Sequence, residues 1–440
     1  MDIGVLGIVA FLFLLSLGMP IALSFATSGI TGIIAIIGLG PGLSLLGQAF
    51  YTWTASYVLC TIPLFVLMGQ FAYHSGISGD LYIAAYRWLG RLPGGLALAT
   101  NIACTGFAAC TGSSVASAST MTVIAYPEMQ KANYDPRLST GCIAAGGTLG
   151  ILIPPSTIFI VYGIITETSI GKLFIAGILP GLLISSLFCG LILFMCKRNP
   201  KLGPPGETFS FKEKLSSLKG VCWMLGLFIF VIGGLYVGIF APSEAGTIGA
   251  FGAFAIVLVK RGKKKAGFFT GLKETIQITS FALKETVQFT SFVFFILIGA
   301  MIFSNFLTLS GLPEALTSWV TTLPIPPFVI LLIILALYIP LGAIMEPLDT
   351  ILLTMPIVFP IILKFGYDPV WFGLVIVILS ELSLITPPVA MNLLVVQGIT
   401  KIPLQVITRG VTPFFIVLII CLIILVAFPE ISLFLPNTMK

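Results

Sequence analysis

Two stretches of the chain place a pair of prolines beside glycine, serine and threonine residues inside apolar sequence. Pro154-Pro155 follows the Gly-Gly-Thr-Leu-Gly-Ile-Leu-Ile run of residues 146–153, and Pro387-Pro388 follows the Ser-Leu-Ile-Thr run of residues 383–386. Proline lacks a backbone donor and disfavours helix in the residue before it, so each pair predicts a broken helix. Carbonyl oxygens freed at such a break, together with hydroxyl oxygens, suit a monovalent cation such as Na⁺, and half-helix N-termini attract an anion.

A segment too interrupted for one continuous helix lies just before each proline pair. Residues 95–129 contain Thr-Gly-Ser-Ser-Val-Ala-Ser-Ala-Ser-Thr at 111–120, and residues 328–362 contain Gly-Ala-Ile-Met-Glu-Pro-Leu-Asp at 342–349. We predict that each segment is a re-entrant helical hairpin whose tip meets the adjacent broken helix. Tight helix packing is the alternative interpretation of the small residues in the first run.

These features belong to an internal repeat. A constant shift of 233 positions superposes residues 122–161 on residues 355–394 and aligns two Tyr-Asp-Pro triplets, at 134–136 and 367–369, together with the proline pairs. The sequence therefore predicts two structurally equivalent halves. Repeats joined by an extra crossing are commonly inverted, as in many secondary transporters, although a channel and a carrier with parallel repeats remain open at this point.

The composition defines the class of protein. Hydrophobic residues make up 58% of the 440 residues and charged residues 9%, whereas soluble domains carry about 25% charged residues. This excludes a soluble globular protein, a disordered chain and a nucleic-acid binder. The expected fold is an all-α polytopic membrane protein with about 11 transmembrane helices and two re-entrant hairpins in two inverted repeats. Eight cysteines without a CxxC pair, and one histidine, argue against disulfides or a zinc site.

Two basic segments, residues 197–219 and 260–265, flank a helical pair and are expected to face the cytoplasm. We divide the chain into a first repeat (1–196, hairpin near 95–129, broken helix near 139–166), a connecting region (197–265) and a second repeat. The second repeat, 266–440, contains a hairpin near 328–362, a broken helix near 370–400 and a C-terminal helix.

Residues 266–290 carry a polar pattern that recurs after eleven residues. The Lys-Glu-Thr-Ile-Gln sequence of residues 273–277 is followed by Lys-Glu-Thr-Val-Gln at 284–288, and this spacing places both copies on one helix face. We interpret the segment as an amphipathic helix in the cytoplasmic interface. The polar-faced end of a membrane helix is the alternative.

Carboxylates inside a membrane are costly and therefore candidates for function. Glu346, Asp349 and Glu381 lie near the second break. Glu346 at the hairpin tip is the best candidate for a cation or conformational role, and for Asp349 a helix cap is an equal alternative. Glu128, Asp135 and Asp368, which lie beside proline turns, are expected to be interfacial helix caps. With one histidine and few buried acids, Na⁺ coupling is favoured over a proton relay.

The two halves resemble the large membrane subunit of tripartite ATP-independent periplasmic (TRAP) transporters over essentially the whole chain. Four motifs carry the resemblance: Thr-Gly-Ser-Ser-Val-Ala at 111–116, Gly-Ile-Leu-Ile-Pro-Pro-Ser at 150–156, Met-Glu-Pro at 345–347 and Ile-Thr-Pro-Pro-Val-Ala-Met-Asn at 385–392. The resemblance implies Na⁺-driven symport of a carboxylate, such as sialic acid or a C4-dicarboxylate, across the bacterial inner membrane. It further implies an elevator mechanism, a separate small membrane subunit and a periplasmic substrate-binding protein.

The resemblance also implies positions for the ligands. At least two Na⁺ sites are expected, the first formed by Gly112, Ser113, Ser114, Leu149, Gly150 and Ile153, and the second by Ala343, Met345, Glu346, Ser383 and Thr386. Substrate is expected to contact Ser113, Ser117, Thr386 and Asn392, with Lys131 or Arg137 assisting at a mouth. Phospholipid is expected around the protein, and no enzymatic activity is expected. A stand-alone ion-coupled carrier of the same fold and an ion channel are the alternatives.

Overall fold

The computed structural model describes residues 2–262 and 268–439, and every element within these ranges is helical. The helices of the first half are α1 Asp2–Ser16, α2 Ile21–Ile37, α3 Leu39–Thr54, α4 Thr61–His74, α5 Ile77–Leu89, α6 Gly95–Thr111, α7 Ser114–Lys131, α8 Pro136–Gly147, α9 Leu149–Leu152, α10 Thr157–Thr166 and α11 Ile170–Arg198. A short 3₁₀ turn, Tyr57–Cys60, precedes α4.

The remaining helices connect the halves and form the second half. They are α12 Phe211–Val237, α13 Pro242–Gly262, α14 Phe268–Leu309, α15 Leu312–Thr322, α16 Pro327–Ile344, α17 Pro347–Lys364, α18 Pro369–Leu384, α19 Met391–Thr400, α20 Leu404–Ala427 and α21 Glu430–Asn437.

Nine helical stretches of the described residues are long and apolar enough to cross a membrane. The chain is thus a helical multi-pass membrane protein, as the composition predicts. Several further apolar helices, among them α1, α2 and α18, are shorter than 18 residues. The count of about 11 crossings, which includes such shorter helices, stays a prediction.

The centre of the protein is formed by the first part of each broken helix. All residues from Leu138 to the end of α8, and all residues from Val370 to the end of α18, are buried. A separate aromatic contact joins α1, α2 and α14, where the rings of Phe11 and Phe25 stack at 4.4 Å and Phe303 lies 5.4 Å from each. The broken helices are therefore enclosed by the rest of the chain, while α1, α2 and α14 pack against one another through these rings.

The two Tyr-Asp-Pro triplets start equivalent helices. Asp135 accepts a hydrogen bond from the N–H of Arg137 at 2.7 Å, and Asp368 accepts from Val370 and Trp371 at 2.8 and 3.0 Å. The proline that follows each aspartate occupies the first helical position, where its missing N–H costs nothing. Both aspartates are helix caps, as expected from the sequence. Glu128 is not a cap, because it lies inside α7 and pairs with Lys131.

Replacing Asp368 by alanine should destabilise the protein by about 1 kcal/mol, because two N–H groups at the start of α18 lose their acceptor. Asp135→Ala is the matched variant and should cost less, since Asp135 accepts one such bond. Thermal unfolding of the purified variants in detergent measures both effects. An equal or larger loss for Asp135→Ala would contradict this account.

The two basic segments lie against the same helix, α5. Arg87 and Trp88 at its C-terminal end donate to the carbonyls of Glu213 and Lys214, at 3.3 and 3.2 Å. Near its N-terminal end, Asp80 pairs with Lys260 at 2.5 Å. The side of the membrane that the two segments face stays a prediction. Residues 263–265 of the second basic segment lie outside the described residues.

The described part of the segment expected to lie in the interface, residues 268–290, continues into the next span without interruption, as the single helix α14. Residues 266 and 267 lie outside the described residues. Thr275 and Thr286 occupy equivalent positions in the two copies of the polar pattern, and both are buried. Ala282 and Val293 are buried on the same face. The eleven-residue spacing thus places one face of α14 against the protein, as the sequence predicts, and the orientation of the segment to the bilayer stays a prediction.

Candidate substrate and cation sites

The first proline pair separates α9, which ends at Leu152, from α10, which begins at Thr157. Opposite this break lies the turn between α6 and α7, at Gly112 and Ser113. Gly112 has φ of +58°, and a Cβ there would lie 2.5 Å from the carbonyl oxygen of Pro155. A Cβ on Gly150 would lie 2.6 Å from the carbonyl oxygen of Ser113. The first hairpin tip therefore rests directly on the first broken helix.

The second half repeats this arrangement. The turn between α16 and α17 lies at Met345 and Glu346, and α18 is separated from α19 by the second proline pair. A Cβ on Gly342 would lie 2.5 Å from the Cβ of Ser383, so the tip of this hairpin also contacts its broken helix. The hydroxyls of Ser383 and Thr386 donate to carbonyls of α18, each at 2.5 Å, which leaves their lone pairs available.

The two halves also interlock. Helix α7 of the first hairpin packs against α19, and α17 of the second hairpin packs against α10. Each hairpin tip thus contacts the broken helix of its own half, and each hairpin also contacts the broken helix of the other half. The two cation sites themselves stay predictions.

A cavity of about 500 Å³ lies between the two hairpin tips. Four helices present their N-terminal residues to it: α7 through residues 114–116, α10 through Thr157 and Ile158, α17 through Pro347 and Leu348, and α19 through Met391. The first N–H groups of a helix have no partner within the helix, and its N-terminus carries about half a positive charge. The cavity is therefore suited to an anion.

The rest of the cavity wall is largely apolar. Helix α14 contributes Phe289, Phe292 and Val293. Among the described residues that line the cavity, Glu346 is the only one with a formal charge. Recognition of an anion here would consequently rely on N–H groups and on the hydroxyls of Ser113, Ser119 and Thr157. The Ser114 hydroxyl also faces the cavity, but it donates to Glu381.

A second cavity, of about 360 Å³, adjoins the first and shares five lining residues with it, including Ser113, Thr157 and Phe289. It extends between α4 and α14 toward Gln70, His74 and Glu285. His74 contacts the rings of Tyr73 and Phe281, and its carbonyl accepts from Arg261. The cavity thus lies between the hairpin elements and the surrounding helices.

Of the four residues expected to contact substrate, Ser113 lines the cavity between the tips. Ser117 is fully buried behind the first tip, with its hydroxyl 3.0 Å from that of Thr111. Asn392 is also fully buried, and its side-chain amide donates to the carbonyl of Ala144 at 3.3 Å while its oxygen has no partner. Thr386 is part-buried on the α18 side of the second proline pair. These three lie behind the cavity wall.

The two basic residues that were expected to assist the substrate at a mouth of its site lie elsewhere. Lys131 pairs with Glu128 at 2.7 Å at the exposed end of α7, and Arg137 is exposed at the start of α8. Neither lines the cavity between the tips.

The three candidate carboxylates have different surroundings. Glu346 occupies the N-cap position of α17 without making a capping hydrogen bond, and it lines the cavity. Asp349 is 3% exposed, and its Oδ1 has no hydrogen-bond partner. Glu381 accepts two contacts from the hydroxyl of Ser114, at 2.6 and 2.8 Å. Glu381 is near the second break in sequence, but its carboxylate contacts the tip of the first hairpin.

Several lining residues carry little signal in the sequence. Thr157 follows the Pro-Pro-Ser motif, and because Ser156 caps α10, that motif could have indicated a helix start beside the site. Phe289 and Phe292 are two of many phenylalanines in apolar sequence. Their place in the cavity wall follows from the packing of α14.

The helical multi-pass fold, with paired hairpins and broken helices around one cavity, is typical of membrane transporters, and it places this protein in that class. The sequence matches the family model described as "Tripartite ATP-independent periplasmic transporter, DctM component" over residues 8–431. The chain belongs to this family, which confirms the resemblance seen in the four motifs.

Individual relatives and structures agree with this assignment. The C4-dicarboxylate TRAP transporter large permease of Pseudomonas aeruginosa is 37% identical over 93% of either chain. The sialic acid TRAP transporter large permease of Vibrio cholerae is 30% identical over 96% of either chain. Among solved structures, the YdaH transporter of Alcanivorax borkumensis matches with a TM-score of 0.59 over 89% of either chain, at 14% identity, which is a likeness of fold.

Proposed function

We propose that this chain catalyses Na⁺-coupled uptake of an organic anion, a carboxylate of the sialic acid or C4-dicarboxylate type, across the bacterial inner membrane. Its partners are a separate small membrane subunit and a periplasmic binding protein that delivers the substrate. The proposal draws on the family membership and on the names of the two relatives described above.

The convergence of four helix N-termini on one cavity is the observation that carries this proposal. Each N-terminus offers unpaired N–H donors and a partial positive charge, so together they stabilise an anionic group without a lysine or arginine. A preorganised site of this kind, without a fixed positive charge, can hold a carboxylate and still release it.

Na⁺ coupling is supported by the contacts between tips and breaks. Hydroxyl groups and backbone carbonyls meet where Gly150 contacts Ser113 and where Gly342 contacts Ser383. Oxygen ligands of this type suit a weakly held monovalent cation, and binding there would fix the tips that line the substrate cavity. Cation binding and substrate binding would thereby be coupled.

An elevator mechanism is supported by the division of the cavity wall. The hairpins and broken helices supply its polar groups, while α14, which packs along α2 and α4, supplies an apolar surface. Movement of the polar elements along this apolar surface would carry the substrate and leave α14 in place.

Reconstitution of the chain with its small subunit in proteoliposomes tests the proposal. Labelled succinate and labelled sialic acid serve as probes, each with the binding protein of the same system and with an inward Na⁺ gradient. We expect saturable uptake of one of them that requires both the gradient and the binding protein. Full-rate uptake without the binding protein would support a stand-alone carrier, conductance without Na⁺ dependence a channel, and either result would overturn the proposal.

A further inference from the structure

Glu381 is a carboxylate in the centre of the protein, 2% exposed on α18. Ser380 and Ser383 on the same helix direct their hydroxyls to α18 carbonyls, at 2.9 and 2.5 Å. Among the described residues, no basic side chain forms an ion pair with Glu381. An ionised carboxylate has about four lone-pair sites, and the serine hydroxyls of α18 do not donate to Glu381. Its hydrogen-bond donors therefore have to come from another helix.

The side chain that reaches Glu381 comes from the other half of the chain. Ser114, the first residue of α7, is fully buried, and its hydroxyl lies 2.6 and 2.8 Å from the two carboxylate oxygens. A serine hydroxyl has one proton and two lone pairs. Because the hydroxyl donates its hydrogen bond to Glu381, the lone pairs of Ser114 remain available to a cation at the first hairpin tip.

The internal repeat does not generate this contact. The shift of 233 positions places Thr148 opposite Glu381 and Pro347 opposite Ser114. The equivalent pair therefore has neither a carboxylate nor a free hydroxyl at the hairpin tip. The contact of Ser114 with Glu381 thus has no counterpart in the second half, where the predicted cation site has a carboxylate of its own, Glu346.

The charge of Glu381 complements the first cation site. All the ligands predicted there, at residues 112–114 and 149–153, are uncharged. A buried cation and a buried carboxylate are each costly alone, and each reduces the cost of the other when they are close.

We propose that Glu381 is the anionic positioning residue of the first cation site. It holds the Ser114 hydroxyl in the orientation that exposes its lone pairs, and it supplies the negative charge that the first half lacks. One cation site would thus be shared between the hairpin of the first half and the broken helix of the second. This inference rests on the proposed Na⁺ coupling.

The test is Na⁺ titration of the reconstituted transporter carrying Glu381→Gln. Glutamine keeps the size of the side chain and can still accept from Ser114, but it removes the charge. We expect the Na⁺ concentration for half-maximal uptake to rise at least tenfold, and binding of radiolabelled Na⁺ to the purified complex to weaken in parallel. Ser380→Ala is the matched control, because Ser380 is equally buried on α18 but bonds to its own helix; its Na⁺ dependence should stay unchanged.

Ser114→Ala provides a second variant should Glu381→Gln fail to fold, and it too should weaken Na⁺ activation. In free-energy terms the double variant should lose less Na⁺ activation than the two single effects added together, because Glu381 has no hydroxyl left to orient once Ser114 is alanine. A wild-type Na⁺ dependence in Glu381→Gln, with reduced thermal stability alone, would show a structural contact and overturn the inference. Absence of Na⁺ dependence in the wild-type protein would instead overturn the proposed function.

Discussion

Thr157→Asp should reduce uptake at neutral pH by about 100-fold or more, while Thr157→Asn should retain most of it. Thr157 is the first residue of α10 and lines both cavities. Two unit charges of the same sign about 5 Å apart repel by about 3 kcal/mol at an effective dielectric constant of 20. That energy corresponds to a loss of roughly 200-fold in binding of an anionic substrate.

The comparison of aspartate with asparagine isolates the charge, because the two side chains have nearly the same shape. An acidic residue in the first turn of a helix is favourable for stability, so Thr157→Asp should fold as well as the wild type. Initial rates of uptake over a range of substrate concentrations, with thermal unfolding of the same preparations, measure both effects. A similar loss of uptake in the two variants would show that shape rather than charge matters, and it would contradict an anion site formed by helix N-termini.

Gly150→Ala should reduce the rate of Na⁺-dependent uptake by about 100-fold, although the change adds a single methyl group. The new Cβ would lie 2.6 Å from the carbonyl oxygen of Ser113, 2.8 Å from its carbonyl carbon and 2.9 Å from the Cα of Ser114. All three are backbone atoms, so the contact can be relieved only by moving the hairpin tip away from the broken helix. Misplacement of positioned groups by about 1 Å costs on the order of 100-fold in other systems.

Gly190→Ala is the matched control for this variant. Gly190 lies in α11, and a Cβ there would meet no atom within 4 Å. We expect this control to transport at the wild-type rate, whereas Gly150→Ala should show at least a tenfold lower apparent affinity for Na⁺ in addition to its lower rate. If Gly150→Ala retained the Na⁺ affinity of the wild type, the first cation site could not lie between Gly150 and the tip.

Local features of the sequence predict where the helices of this protein begin and end. The proline pairs interrupt helices because they remove backbone donors, and α9 and α18 end just before them. The Tyr-Asp-Pro triplets start helices because the aspartate supplies an acceptor for the first N–H groups. These effects act within a few residues, so the sequence alone predicts them.

The composition and the repeat also predict the class of protein. A chain with 58% hydrophobic and 9% charged residues has to bury its backbone hydrogen bonds in helices within a bilayer. The four motifs then identify the family, which the match over residues 8–431 confirms.

The composition of the cavity wall could not be predicted in the same way. Ser117 and Asn392 have the residue types expected of a substrate site, yet both are fully buried behind it. Phe289 and Phe292, which have no distinguishing pattern, line it. A polar residue type shows that a hydrogen bond is needed, but only the packing of neighbouring helices decides whether the partner is a substrate or the protein itself.

By itself, the sequence determined the helical membrane class, the two equivalent halves, the positions of the breaks and the family. The tertiary structure alone decided that four helix N-termini face one cavity and that Ser114 of the first hairpin meets Glu381, 267 positions away. The physical reason is the distance along the chain over which the interactions act. Helix breaks and caps follow from hydrogen bonds between near neighbours in the sequence. Contacts between distant segments follow from how closely apolar helices approach one another. The residue types Leu, Ile, Val and Phe do not specify which helix they will pack against.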